Sequence, residues 1–484
     1  TVIANAYVQP PVAAYLGRLV NALKDAGIEA PVYMMHSGGG LISVETAAEQ
    51  PVRLLESGPA GGAIYAAGIA RAHEIGKALS FDMGGTTAKI CLIEEGRPKT
   101  ANTFEVARTY RFKKGSGMLV STPVVEMVEI GAGGGSIAWI DRMGRLRVGP
   151  QSAGSEPGPA CYGRGGEEPA VTDANLRLGR LDPQNFAGGA MALHPDRTDA
   201  ALERLKMPPD EAAFGITELV DENMANAARV HTVENGRDIT QFTMIAFGGG
   251  APLHACRLCE KLGLNEALIP PGAGVGSAIG FLQAPVSFEA TRGLYQRLDA
   301  FDAEAVNGML EELDAQANDF VDRGAPGADR TTRLIAQMRY VGQGWEIPVA
   351  LPHRQFGTDD VPLIVARFEE EYRALFGRII EGLTVEITNW QLTVATEVPP
   401  VAPANRFARG ASVEPTRKRM FYDAALRQTV EAAEVPRSAM TPGAALDGPA
   451  IIVEDETATL VTSAFRAVGQ GDGSLRLIRK EARS

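Results

Sequence analysis

The sequence predicts an α/β fold. Three observations carry it. Apolar runs of strand length end in glycine-rich turns at 84–85, 131–135 and 248–250, helices with one apolar face alternate with those strands, and no solenoid period appears. Near residue 286 the texture changes to helices and antiparallel strands, so an α+β region is expected over 286–400 and a last β domain over 401–484.

Element by element, apolar positions 12, 16, 19, 20 and 23 lie on one helix face within 8–27, with Pro11 near the start and Gly27 past the end. PVYMMHSGGGLIS reads as a buried strand entering a glycine turn, and the residues to Gly76 read as helix, turn, helix. Two strands flank the turn within 78–96. The form repeats over 124–149, where a hairpin is expected at Arg142-Met143-Gly144-Arg145. Residues 150–190, crowded with Gly and Pro, predict a long structured loop and a short helix from about Thr172. A helix follows over 210–236, then strand, turn and helix over 242–262 and again in IPPGAGVGSAIGFLQA. Beyond these, 300–325 and 361–377 read as helices, while RLIAQMRYVGQGWEIPVAL, VEITNWQLTVATEV and 417–480 alternate as strands. The Pro- and Ala-rich 399–415 reads as a linker.

At 484 residues with 45% hydrophobic content the chain can bury several cores. A net charge of -12 leaves no broad basic field, so neither nucleic acid nor an anionic membrane is expected as partner. No apolar run of about eighteen residues and no basic-then-apolar leader occurs, which predicts a cytoplasmic protein. The lack of an initiator methionine leaves open that the chain begins mid-protein. Four cysteines, at 91, 161, 256 and 259, are too few to staple it, and the lone CxxC of Cys256 and Cys259 reads as core packing.

In SFDMGGTTAK, Gly84 and Gly85 allow close backbone approach, Thr86 and Thr87 add hydroxyls, Asp82 could hold a hydrated magnesium ion, and Lys89 could neutralise a phosphate. The alternative is a hairpin whose glycines and Asp merely close the turn. GAGGGS supplies Gly133, Gly134, Gly135 and Ser136 after a strand, either for a ligand or for a bulge. FGGGAPLHA places Gly248, Gly249, Gly250 and Ala251 before a helix, where free N–H groups could meet an anion or the glycines could lie under an adenine. Glu129 is a solvent-facing strand carboxylate or a second acid near magnesium. Asp173 is a helix cap or a group near phosphate. His36 and His254 read as satisfied by backbone, the His231/Glu234 pair lacks a second metal-binding pair, and Cys161 lacks a neighbouring base.

The three loops in this order resemble the fold shared by actin, the Hsp70 chaperones and sugar kinases. The longer strings SGPAGG, FDMGGTTAK, EIGAGGGSIA, VGPQSAGSEPGPACYGRGG, VTDAN, PPGAGVGSAIG and MRYVGQGWEIPV resemble the hydantoinase A and 5-oxoprolinase family, which includes acetone and acetophenone carboxylase subunits, over nearly the whole chain. That resemblance implies residues 1–75 as a remnant of a first lobe and hinge, and 76–285 as a second lobe with the phosphate and adenosine loops. It also implies ATP with Mg2+ or Mn2+, and a second large subunit of hydantoinase B type as partner. The substrate would be a cyclic amide such as a hydantoin, 5-oxoproline or lactam, or a ketone to be carboxylated. A non-catalytic nucleotide-binding subunit is the alternative. On this resemblance Asp82, Lys89 and Asp173 are the expected catalytic residues, Asp82 and Glu129 the metal ligands, and the loop residues named above the nucleotide contacts. Relatives usually begin with a further domain that carries a first DxGGTxTD hairpin, so the first lobe is expected on another chain, cleaved, or not represented in this sequence, and many read GGTSTD where this chain reads GGTTAK, so that Lys89 replaces an acid.

Overall fold

The computed structural model describes residues 1–106, 115–398, 401–408 and 410–480. Two compact units form, Thr1–Leu55 with Ala284–Pro399, and Glu56–Gln283 with Pro400–Ser484. This differs from the four consecutive segments expected, and hydrogen bonding accounts for the difference. Leu41 donates to the Pro285 carbonyl at 2.8 Å and bridges Val286, tying the N-terminal segment to the strands that follow residue 284. The residues after 400 cluster with the second unit: Ala411–Ser412, Ala444–Asp447, Phe465–Gly469 and Leu475–Arg479 extend its large sheet, while Arg417–Asp423, Gln428–Pro436, Ala450–Val453 and Ala458–Val461 form a four-stranded sheet of their own.

In the first unit the strands Ser287–Arg292, Val385–Thr396, Arg330–Tyr340 and Ile347–Leu351 make an antiparallel sheet in that order, with Gln296–Arg297 paired to Val385–Thr396. Leu334, Ala336, Met338 and Tyr340 alternate inward, as a half-buried strand requires. The helix Ala303–Gly324 turns Val306, Leu310, Leu313, Ala317 and Phe320 to the same core, and Asp302 caps it by accepting from the Ala305 N–H at 3.0 Å. The first helix runs Val2–Asp25, earlier than its periodicity predicts, with Pro10 and Pro11 inside it. Both prolines lie on a largely exposed face, where water can satisfy the carbonyls that their missing N–H groups leave unpaired.

The second unit is built on a ten-stranded mixed sheet whose main path runs Met127–Ile130, Ala88–Glu94, Lys77–Met83, Thr243–Phe247, Glu266–Ile269, Leu475–Arg479, Phe465–Gly469, Ala444–Asp447, Ala411–Ser412. Lys77–Met83 and Thr243–Phe247 pair in parallel, with Asp82 opposite Phe247. Both strands are buried along nearly their whole length, as strands covered on two faces are. The helices Ser57–Ala72 and Gly276–Gln283 meet through glycine. A Cβ on Gly280 would lie 1.8 Å from the Gly61 carbonyl oxygen, so only hydrogen fits there. The hairpin expected at 142–145 is present between Ser136–Ile140 and Leu146–Ser152, its turn held by Asp141, which accepts from Met143 and Arg145 N–H groups at 2.9 and 3.0 Å. Of the expected linker, residues 399, 400 and 409 lie outside the described residues.

Candidate functional site

Residues 84–87 form the tip between two paired strands, with Asp82 directly opposite Lys89. Gly84 donates to the Thr87 carbonyl at 3.1 Å, which closes the tip, while the N–H groups of Gly85, Thr86 and Gly249 take no main-chain partner. Asp82 sits largely enclosed behind that tip. Burial raises its carboxyl above its ordinary pKa, opposed by the Ser277 hydroxyl, which donates to Oδ2 at 3.0 Å, and by the charge of Lys89. Lys89 in turn donates to Thr87 Oγ1 at 2.8 Å and lies 3.5 Å from Glu129, its neighbour in the next strand.

The other two glycine loops brace this hairpin. Gly134 and Gly135 donate to the carbonyls of Gly84 and Gly85 at 3.1 and 2.6 Å, so their N–H groups are already used. A Cβ on Gly133 would stand 2.6 Å from the Thr86 carbonyl carbon and 2.7 Å from the N atoms of Thr86 and Thr87. Gly248, at φ 89°, is held to glycine twice over, since its Cβ would also lie 2.5 Å from Asp82 Oδ1. Gly250 donates to the Met83 carbonyl at 2.9 Å as the helix Ala251–Leu262 begins. Ser136 does not line the cavity described below; its hydroxyl accepts from the Gly133 N–H at 2.8 Å.

A cavity of about 400 Å³ opens where these loops meet, and its walls include Gly84, Gly85, Gly134, Gly249 and Gly250. Asp82, Lys89, Thr86, Thr87, Gly133, Gly135, Gly248 and Ala251 do not line it, and their part is to shape or charge the loops that do. Several walls were not expected. Thr172 and Asn175 face it from the helix Val171–Arg177, and Asp455 and Glu456 reach it from a turn some 200 positions downstream. That turn is docked on the glycines, Thr457 Oγ1 donating to the Gly249 carbonyl at 3.0 Å. Of these, only Thr172 and Asn175, both inside the quoted VTDAN, carried any signal in the sequence. The downstream turn carried none, because tertiary folding alone brings it here.

Asp173, catalytic on the resemblance, is engaged with main chain. Its carboxylate accepts from the Ala160, Cys161 and Ala170 N–H groups at 3.2, 2.7 and 2.8 Å, and it does not line the cavity. A carboxylate so engaged clamps the glycine- and proline-rich loop onto the helix start. Glu129 is half exposed and paired with Lys89, so Asp82 is the acid best placed for a metal. One enclosed carboxylate with Oδ1 not hydrogen-bonded fits a magnesium ion that keeps most of its waters, whereas an all-protein cage does not fit, since no group of three or more His, Cys, Asp or Glu forms one among the described residues. Sequence reasoning also missed Glu56, which stands at φ 59° before the helix Ser57–Ala72. Burial and the Glu129 charge raise its pKa, and Lys89 lowers it, which places it in the same electrostatic neighbourhood.

Cys256 and Cys259 are buried free thiols, as core packing requires, and burial pushes Cys256 up to about 12. His36 meets the Ser287 hydroxyl at 3.0 Å through Nε2, but its Nδ1 accepts from the Gly38 N–H at 3.0 Å, so the ring proton sits on Nε2 and cannot be traded for the serine proton. His254 departs from expectation too. Side chains, not backbone, satisfy its ring, with Asp221 Oδ1 2.6 Å from Nδ1 and Asn175 Nδ2 3.4 Å from Nε2.

The second unit is thus a mixed α/β unit in which three glycine loops brace one another about one cavity, with an enclosed carboxylate behind the hairpin tip. The chain belongs to the hydantoinase/oxoprolinase family, which its residues 1–290 match, with residues 296–472 matching the Hydantoinase/oxoprolinase C-terminal domain. It is 30% identical to caprolactamase subunit alpha of Pseudomonas jessenii, over 96% of this chain and 67% of that one. To the acetophenone carboxylase gamma subunit of Aromatoleum aromaticum it is 29% identical, over 95% of this chain and 64% of the relative. The crystal structure of the ATP-dependent caprolactamase from Pseudomonas jessenii superposes with a TM-score of 0.80 at 29% identity, covering 99% of this chain and 70% of that one. No helix among the described residues is long and apolar enough to cross a membrane.

Proposed function

We propose that the second unit is the nucleotide-binding half of an actin- and Hsp70-like ATP site, and that the protein uses ATP to phosphorylate the carbonyl oxygen of a cyclic amide. The observation that carries this reading is the meeting of three glycine loops at one cavity, which Gly84, Gly85, Gly134, Gly249 and Gly250 line, with Asp82 enclosed behind it. The similarity to an ATP-dependent caprolactamase supports the amide as substrate class.

Amide resonance makes the carbonyl carbon a poor electrophile and its oxygen a fair nucleophile. In the proposed step the oxygen attacks the γ-phosphorus, the new O–P bond forms as the bond to the ADP oxygen breaks, and the nitrogen loses its proton. Addition of water to the activated carbon breaks the ring C–N bond, and a second water releases phosphate, so ring-opened amino acid, ADP and phosphate balance the equation. The protein contributes positioning and charge more than covalent chemistry. Gly85, Thr86 and Gly249 offer unpaired N–H groups to phosphoryl oxygens, and Lys89, partly exposed at the hairpin, adds positive charge. Magnesium or manganese held through waters on Asp82 would supply further neutralisation of the polyphosphate.

A second reading, phosphorylation of a ketone on the way to its carboxylation, draws on the similarity to the acetophenone carboxylase subunit. Both relatives are subunits by name, which supports a further large chain, of hydantoinase B type, as partner here. Phosphate release from ATP, measured with the partner chain present, separates the two. Stimulation by a lactam, hydantoin or 5-oxoproline supports the first reading. Stimulation only by a ketone with bicarbonate replaces it with the second, and no stimulation by any of them removes both.

A further inference from the structure

Behind the cavity wall lies a run of polar side chains that the phosphoryl-transfer reading leaves unused. Asp221 and His254 are both 0% exposed, and Asn175 and Arg180 are 3% and 2% exposed. Burying four such groups together is costly unless their hydrogen bonds are made, so their arrangement calls for a function. Asp221 Oδ1 lies 2.6 Å from His254 Nδ1, Asn175 Nδ2 lies 3.4 Å from His254 Nε2, and Arg180 Nη1 donates to Asn175 Oδ1 at 3.1 Å.

Donors and acceptors in this run permit one direction only. The carboxylate can only accept from the ring, so the imidazole proton stands on Nδ1 and Nε2 is an acceptor. The guanidinium can only donate, so the amide oxygen of Asn175 must face Arg180 and the amide NH2 must face His254. An asparagine free to flip would present either end. This one is fixed from both sides. Its NH2 carries two hydrogens, the structure gives that nitrogen one partner, and both Asn175 and His254 line the cavity together with Gly84, Gly85 and Gly134. Thr172, one helical turn before Asn175, is by contrast spent, since its N–H and hydroxyl both donate to the Gly134 carbonyl at 2.8 Å.

We propose that Asn175 is a ligand-contacting residue whose second amide hydrogen is donated to a phosphoryl oxygen of the bound nucleotide, and that Asp221, His254 and Arg180 are positioning residues that hold it in the donor orientation. The assignment rests on the reading of the cavity as a nucleotide site. It adds a side-chain donor to the loop N–H groups, from a residue that lines the same cavity as Gly249.

The test is titration calorimetry of the full chain with a non-hydrolysable ATP analogue plus magnesium, and separately with adenosine, which has no phosphoryl oxygen. Asn175→Ala should weaken the analogue by roughly 10- to 100-fold and leave adenosine unchanged. Asn175→Asp keeps the size and the acceptor for Arg180 but removes the donor, and it should weaken the analogue at least as much. The pair replacement Asp221→Leu with His254→Phe exchanges a buried polar pair for apolar groups of similar volume, a change a core often tolerates. It should weaken the analogue by about 3- to 10-fold, and by nothing further when combined with Asn175→Ala. Unchanged affinity in both Asn175 variants, with the unaltered chain binding normally, overturns the contact. Additive losses overturn the positioning role. Failure of the unaltered chain to bind the analogue removes the nucleotide reading itself, and this inference with it.

Discussion

At the scale of single residues, two carboxylates carry the clearest expectations. Asp82 is enclosed, accepts from Ser277 and faces the cavity loops, so Asp82→Asn should lower magnesium-dependent nucleotide turnover by about 100-fold or more. Thermal unfolding should show no loss of stability, because the substitution removes a charge whose burial is costly while Ser277 can still donate to the amide oxygen. Glu289 in the first unit is pushed up by burial to about 7 from 4.5, against the opposing charge of Arg53. Below pH 4.5 folded and unfolded chains both hold its proton. Between there and about 7 the unfolded chain gives the proton up while the folded chain keeps it, so stability falls as pH rises through that window. The whole effect is about 3 kcal/mol. Denaturant titrations of the protein and of Glu289→Gln at pH 4.5 and pH 8 should therefore diverge, the variant losing less stability on the way up. Equal pH dependence in the two would contradict the placement of that carboxyl. The residues nearest the glycine loops were legible in the sequence because glycine, Asp and Thr cluster there locally. Asn175 was visible only as part of a string, and the Asp455 and Glu456 wall was not visible at all, since their approach depends on sheet strands laid down far along the chain.

Elements show where the pattern of the sequence binds most tightly. Gly133→Ala would push a methyl group into main-chain atoms at 2.6 Å, which cannot move aside as a side chain can, so the phosphate hairpin must shift. Overpacking of this kind costs roughly 1–3 kcal/mol and should also weaken nucleotide binding. Gly280→Ala parts the helices Ser57–Ala72 and Gly276–Gln283 in the same way, and because Ser277 rides on the second helix, loss of its bond to Asp82 should accompany the loss in melting temperature. An unchanged melting temperature in both variants would show that these contacts are not close-packed. The strand–glycine–helix pattern at 242–262 and the helix at 300–325 were readable from periodicity, which burial then enforces. The first helix was under-read at its start, since Pro10 and Pro11 look like a boundary and are tolerated on an exposed face. Asp173 was half-read. Its capping geometry is present, but the same carboxylate also holds the 160–161 loop, a long-range contact no local pattern shows.

For the whole molecule, the order of segments along the chain misled the domain reading. Leu475–Arg479 pairs with Glu266–Ile269, so the last strands complete the sheet that carries the glycine loops. A chain ended after residue 398 should leave that sheet edge open and lose cooperative unfolding of the second unit, as read by calorimetry. Retained cooperative unfolding would mean that the downstream strands are dispensable. The central claim, that the loops about Asp82 hold a nucleotide, is tested most directly by titrating a non-hydrolysable ATP analogue with magnesium into the unaltered chain and into Gly133→Ala. The account predicts saturable binding at one site, weakened by about 10-fold or more in the variant. No binding by the unaltered chain, or equal affinity in both, would contradict it.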